Sequence, residues 1–360
     1  MASGAVNLAL VGDLLAKRPV PESIFELARQ DLQPADITFG NLEGPLTDVG
    51  QPPDFKRRES ALRYVAEERM VAAYLSAGFD VVSLANNHTM NMGPQGLQRC
   101  IEVLDRHGIA HAGAGRTKAE AHLPAILERN GTRIAFLAYT SVFLDPFAAT
   151  ENRAGVATVK VTTSFEQVAA WTETPGSAPI IHCHPNPEDV QVMLDDVHQA
   201  KRESEVVVVS WHWGISSATG QGYRAGQVID YQIALGHAAV DAGADVIVGH
   251  HPHQLEGIEV YKNRAIFYSL GNFAFDPYYG ARHRQTTAVA RCVIQDGLIQ
   301  EANFIPYLIN EGAQPFPAPP AEAKEVLEEI ERKSEPFGTT FRPRTSDVLV
   351  LETPALVRAG

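Results

Sequence analysis

A chain of 360 residues with 45% hydrophobic content can bury a large core, as one big α/β domain or two smaller ones, and this excludes disorder as its default state. Its formal net charge of −13 argues against a nucleic-acid backbone as partner, because nothing would drive the counterion release such binding needs. Three widely spaced cysteines, Cys100, Cys183 and Cys292, give neither a disulfide framework nor a Cys-type zinc site, and suit a reducing compartment.

The first apolar run, Val6 to Val11, is too short for a membrane span or signal-peptide core and has no basic flank. The expectation is a cytoplasmic protein without a membrane segment, although a chain trimmed of a leader or anchor would read the same. The run predicts a short strand ending at Gly12-Asp13, which puts Asp13 where α/β sheets hold ligands. The bland alternative is a helix N-cap, since a helical run opens at Pro21-Glu22-Ser23 and reaches Arg29. Asp36 to Phe39 repeats the pattern and leads to Glu43, flanked by Gly40 and Gly44, which permit close backbone approach. Gln51 to Glu59 reads as a loop, in which Lys56, Arg57 and Arg58 either meet an anionic substrate or form a solvated face. A helix over Glu67–Ala77 precedes a strand from Phe79 to Ala85, which ends in Asn86-Asn87-His88. Asn87 offers an amide oxygen to a metal, and His88 a proton or a ligand nitrogen. An amphipathic helix over Gly96–His107 and a short strand over Ile109–Ala112 follow, and a core strand over Arg133–Tyr139 closes a first βαβ half.

Thr140 to Ala178 is irregular. His182-Cys183-His184 has metal-like spacing, but the Pro185-Asn186-Pro187 turn after it fits a surface loop equally well. A helix over Pro187–Lys201 leads to the most apolar strand of the chain, Glu205 to Gly214, which presents His212. After a helix over Arg224–Ala242, the strand Asp245–Val248 ends at Gly249 and delivers His250, His251 and His253 within four positions. A single strand-end histidine more often caps a carbonyl or binds water; three together have the density of metal ligands. A hairpin over Gly257–Leu270, a loop over Gly271–Asp276 and two antiparallel strands, Thr287–Ile294 and Leu298–Leu308, come next. A proline-rich linker (Gln314–Pro320), a helix (Ala321–Lys333) and a last strand (Asp347–Leu351) end the chain. Residues 1–310 are expected to form one domain, with 311–360 packing back on it.

Five strand ends therefore carry ligand-type groups: Asp13, Glu43, Asn87 with His88, His212, and His251 with His253. One such coincidence means little, whereas five on the carboxyl edge of a parallel sheet point to a shared metal site. In Gly12-Asp13, Asn41-Leu42-Glu43-Gly44-Pro45-Leu46, Leu84-Ala85-Asn86-Asn87-His88, Val209-Ser210-Trp211-His212-Trp213-Gly214, Gly249-His250-His251-Pro252-His253 and Phe267-Tyr268-Ser269-Leu270-Gly271-Asn272-Phe273, the sequence resembles the bacterial capsule-synthesis CapA (poly-γ-glutamate capsule) family of the calcineurin-like metallophosphoesterase superfamily. The resemblance implies an α/β fold of four layers, two mixed sheets face to face with helices outside. It implies two divalent cations (Mn, Fe or Zn) held by Asp13, Glu43, Asn87, His212, His251 and His253, with Glu43 bridging and His88 protonating a leaving group. The implied function is hydrolysis of a phosphoester or γ-glutamyl amide in a small, anionic molecule or peptide. The chain departs from the superfamily pattern where Leu14 and Leu15 follow Asp13 in place of Asp-x-His, where Glu43 replaces Asp, and where Asn91 stands for a frequent Asp. A metal-independent peptide epimerase and a non-catalytic polymer-assembly protein are the rival functions.

Overall fold

The computed structural model describes residues 4–15, 17–167, 179–216, 227–275, 285–345 and 348–352. Two mixed sheets dominate it. In the ten-stranded sheet, the strands Val6–Leu15, Ile37–Leu42, Val81–Ser83 and Ala110–Ala112 run parallel, and the antiparallel pair Gln285–Gln295 and Leu298–Ile309 extends the other side of Val6–Leu15. In the six-stranded sheet, Thr132–Thr140, Val206–His212, Val246–His250 and Arg264–Phe267 are parallel and the two edge strands antiparallel.

The strand sequences explain the stacking. Val206–His212 opens with four valines and is buried throughout, as expected of a parallel strand covered on both faces. Val206 and Val208 face the other sheet and join Leu8, Leu10, Phe39, Phe136 and Val248 in a core between the sheets. The Phe39 and Phe136 rings stack there, 5.6 Å apart and 9° from parallel. Val207, Val209 and Trp211 point outward, against Met193, Val197 and Ala200 of the helix Pro187–Glu203 and against Leu235 and Ala239 of Asp230–Ala242. A third core packs Val11 and Leu14 against helices Val71–Ala77 and Gly93–Arg106. Helix, sheet, sheet and helix thus form four layers, held by apolar burial worth about 1.5–3 kcal/mol for each fully buried large side chain. The helix Pro187–Glu203 starts where Asn186 accepts from the amides of Glu188 (2.9 Å) and Asp189 (3.0 Å), with Pro187 in the first turn. The C-terminal helix Pro320–Ser334 contributes Val326, Leu327 and Ile330 to the core between the sheets.

Several elements differ from their sequence-based expectation. The strand Thr132–Thr140 does not close a first βαβ half; it pairs with Val206–His212 in the second sheet, because an apolar run says that a strand is buried but not beside which neighbour. Nor do the ligand-bearing strands share one sheet edge: Asp13, Glu43 and Asn87 come from the first sheet, His212, His251 and His253 from the second. Residues 272–275 form a strand, Asn272–Phe275, parallel to the end of Val6–Leu15 with Asp13 opposite Asn272; Asp276 lies outside the described residues. The run from Pro21 breaks into a 3-10 turn, Pro21–Ser23, and a short helix, Arg29–Leu32. The loop after Gln51 closes with a helix, Arg58–Arg63. His182 and His184 sit on a strand, Ile180–Pro185, paired with Val161–Glu166; their partners are Glu166 (2.7 Å) and Ser164 (2.8 Å). Among the described residues no helix is long and apolar enough to cross a membrane.

One buried acid makes stability depend on pH. Burial pushes the Glu256 carboxyl up from its usual 4.5 to about 8; one oxygen faces Gln232 at 3.4 Å and the other has no hydrogen-bond partner. Between those values the native state holds a proton that the unfolded chain has released, so stability falls as pH rises through the window and the penalty is complete above about 8. Glu256→Gln is expected to flatten that decline and to raise stability at pH 8 by an amount on the order of a few kcal/mol. Urea denaturation of both proteins at pH 5 and pH 8 checks this; equal slopes with pH would refute it.

Candidate metal centre

At the carboxyl ends of the central strands the two sheets bring their polar residues together. Asp13 is fully buried. Its Oδ1 accepts from Asn41 Nδ2 at 2.9 Å and lies 3.3 Å from His250 Nδ1; its Oδ2 lies 3.3 Å from His253 Nδ1 and 3.3 Å from the His251 amide nitrogen, which donates to it. Burial alone would raise this carboxyl, but the His250 and His253 imidazoles outweigh it and hold Asp13 well below the usual carboxylate range.

Glu43 is the centre of the cluster. His253 Nε2, His212 Nε2 and His88 Nε2 stand 3.6, 3.7 and 3.9 Å from its Oε1, and neither carboxylate oxygen has a hydrogen-bond partner. Burial, reinforced by the neighbouring Asp13 charge, drives the Glu43 carboxyl well above its ordinary value, against the pull of His253. Asn87 Oδ1 lies 3.0 Å from His212 Nε2, and the His212 and His251 rings lie 4.8 Å apart. Glu43, His251 and His253 each offer a ligand atom within 4.8 Å of the others.

These contacts fit a cation. A fully buried carboxylate ringed by nitrogens beyond hydrogen-bond range leaves polar atoms unsatisfied, which costs several kcal/mol unless something charged lies between them. Separations of 3.6–3.9 Å are close to the span of two ligand atoms sharing one ion at roughly 2.1 Å each. His251 Nδ1 and His250 Nε2 are likewise buried without hydrogen-bond partners, and His250 Nδ1 has only its 3.3 Å ion-pair contact with Asp13. Burial lowers His212 and His88 well below the usual imidazole value and His251 to about 3, so these rings are neutral, and His212 and His251 can offer a lone pair to a metal. His253 goes the other way, to about 9; burial opposes its charge, but the Glu43 and Asp13 carboxylates prevail and make it the local counter-ion.

The backbone is bent to deliver these groups. His251 (φ 93°) and His253 (φ 59°) occupy the left-handed region that side chains avoid, on either side of Pro252, and strain of this kind costs roughly 1–3 kcal/mol per residue. Gly12 and Gly249 are required by close approach: a Cβ at either would lie 1.9 Å from a backbone oxygen, of Gly271 and Tyr268 respectively.

The structure gathers Asp13, Glu43, Asn87, His88, His212, His251 and His253, and adds residues that sequence reasoning did not assign to the site. Asn41 bridges Asp13 and, at 3.4 Å, His212 Nδ1, while its Oδ1 accepts from Asn86 at 3.1 Å. Its signal was present, an amide two positions before Glu43 on the same strand end. His250 contacts Asp13 directly. Asn272 Oδ1 accepts from His253 Nδ1 at 2.8 Å, and Tyr64 stacks on His88 at 3.6 Å between centroids; nothing in the local sequence marks Tyr64. Lys56, one of the candidate anion-binding cations, instead turns inward to Asn87 O (3.2 Å) and Asn91 Oδ1, and burial lowers its ammonium to about 8.

Two face-to-face mixed sheets flanked by helices give a four-layer fold of the metallophosphoesterase-like class, with buried carboxylates and imidazoles gathered where the two sheets' strands end. The chain belongs to the bacterial capsule synthesis protein family PGA_cap, whose profile matches residues 7–277. It is 30% identical over 320 residues to the "Capsule biosynthesis protein CapA" of Bacillus anthracis, covering 86% of this chain and 68% of that protein. It is 31% identical over 280 residues to the "PGA biosynthesis protein CapA" of Bacillus subtilis strain 168, covering 75% of this chain and 63% of the relative. The chain thus spans about two thirds of the length of these relatives. Among solved structures, a Staphylococcus aureus protein provisionally described as a 5'-nucleotidase, crystallised with alpha-ketoglutarate, matches with a TM-score of 0.43 at 14% identity, over 91% of this chain and 58% of its own.

Proposed function

We propose that this chain is a hydrolase acting on a phosphoester or amide bond, the latter including a γ-glutamyl amide, in an anionic small molecule or peptide. The observation that carries this reading is Glu43, fully buried, with both oxygens unsatisfied and three imidazoles at 3.6–3.9 Å. Asp13, Glu43, Asn87, His212, His251 and His253 would hold two divalent cations. When bound, such cations supply Lewis acidity, which makes water a nucleophile near neutral pH and offsets charge on the attacked group. The chain's own residues do the rest. Asn41 holds the Asp13 carboxylate in place through its amide, and Asn272 orients the His253 ring. His88 lies against the cluster with Nε2 facing Glu43 and presents a proton to the departing oxygen or nitrogen. The cations would also offset the acidic balance of the chain for an anionic substrate.

Elemental analysis of protein purified without added metal, combined with a screen of phosphomonoesters, phosphodiesters and γ-glutamyl amides, tests this. Stoichiometric Mn, Fe or Zn with turnover of one class is the expected result; no metal, and no activity on adding it, would defeat the reading and favour the metal-independent epimerase. His88→Ala is expected to retain the metal while turnover falls about 10²- to 10⁴-fold. Unchanged turnover would remove His88 from the chemistry.

The relatives' descriptions favour a second reading, a capsule-associated role in handling a poly-γ-glutamate polymer without hydrolysis. Here His251→Ala would leave the biological activity intact, whereas the hydrolase reading requires its loss.

A further inference from the structure

Asn91 is fully buried, and its amide has three neighbours. Its Oδ1 accepts from the Lys56 side chain, and its Nδ2 donates to the Ala61 carbonyl at 2.9 Å. An ammonium offers only donors and a carbonyl only accepts, so flipping the amide would set donor against donor and acceptor against acceptor in a dry site. The second Nδ2 hydrogen therefore faces His88 Nδ1, 3.2 Å away. That nitrogen must present its lone pair, which leaves the proton of the neutral ring on Nε2, the atom 3.9 Å from Glu43 Oε1. Tyr64, stacked within 7° of parallel, fixes the plane of the ring. Lys56 is itself held by the Asn87 carbonyl (3.2 Å) and lies 5.2 Å from the Phe147 ring centroid, so the relay is anchored at its far end.

We propose that Lys56 and Asn91 are positioning residues that set the tautomer of His88, so that an N–H faces the Glu43 cluster. Only the use made of that proton rests on the hydrolase reading; the tautomer belongs to the resting chain. His88 then stabilises negative charge on a departing atom as a neutral hydrogen-bond donor. A carboxylate at position 91 would do the reverse, accepting from Nδ1–H and stripping the neutral ring of its proton at Nε2.

Histidine ring-15N labelling of the full chain, with two-bond proton–nitrogen correlation at neutral pH in chelator-treated and zinc-loaded protein, reads the tautomer directly. His88→Gln identifies the signal. The expected wild-type pattern is a bare Nδ1 and a protonated Nε2. Asn91→Asp should move the proton to Nδ1, and Lys56→Met should weaken the bias toward Nε2, because the Ala61 carbonyl alone then opposes a flip of the amide. A wild-type ring protonated at Nδ1 or at both nitrogens overturns the proposal, and so does an Asn91→Asp spectrum identical to wild type. The wild-type spectrum alone decides even where a variant fails to fold. No substrate enters the measurement, so a failed hydrolase reading leaves these spectra unchanged, and a wrong tautomer leaves the hydrolase reading standing.

Discussion

Replacing Glu43 by glutamine is expected to leave the fold intact, to abolish the gain in stability on adding metal, and to lower turnover at least about a hundredfold, the scale of losing one preorganised electrostatic group. The wild-type carboxyl is buried without a hydrogen-bond partner and lies near three imidazole nitrogens. Without a cation it burdens the native state, since burial drives its proton affinity up and folding must either desolvate a charge or take up a proton. Glutamine removes that burden, so the chelated variant should melt at or above the temperature of the chelated wild type. Wild-type protein in metal at a hundred times the dissociation constant should gain about 2.7 kcal/mol, and the variant little of it. Melting curves with and without Mn or Zn, read beside elemental analysis, check both halves. Equal metal-induced shifts in the two proteins would show that the buried carboxylate does not hold the ion. Opposite signs for stability and function are what a site built for a ligand produces.

The second large effect is expected from Gly12→Ala. The added methyl would lie 1.9 Å from Gly271 O, the backbone acceptor of the Asp13 amide (2.9 Å), in the parallel pairing of Val6–Leu15 with Asn272–Phe275. A flexible side chain could step aside; a strand backbone cannot without breaking its ladder, so the cost should reach or exceed about 3 kcal/mol. The two strands that must part carry Asp13 on one and its neighbour Asn272 on the other, so metal stoichiometry should fall along with stability. Gly249→Ala should act in the same way from the other sheet, against Tyr268 O at 1.9 Å and Trp213 Nε1 at 2.6 Å. Urea midpoints measure the stability cost. A change in either variant within about 0.5 kcal/mol, the range of an ordinary surface substitution, would mean that the strands part more easily than this packing implies.

What the sequence determined by itself was local. Apolar runs bounded by glycine and polar residues mark the Val6–Leu15, Val206–His212 and Val246–His250 strands, because burial on both faces of a parallel strand demands unbroken hydrophobicity. The same logic made Asp13, Glu43, Asn87, His212, His251 and His253 conspicuous, since a charged or imidazole group directly after such a run needs a reason to be there. Tertiary structure alone decided the partners. Whether Thr132–Thr140 joins the first sheet or the second, and that Asn272–Phe275 is a strand at all, depends on contacts between residues far apart in the chain, and strand periodicity encodes which face is buried but not against what. The same holds for Tyr64 and the Lys56–Asn91–His88 relay. Their roles arise from hydrogen-bond and ring geometry among segments that meet only in the folded chain, so no spacing along the sequence could announce them.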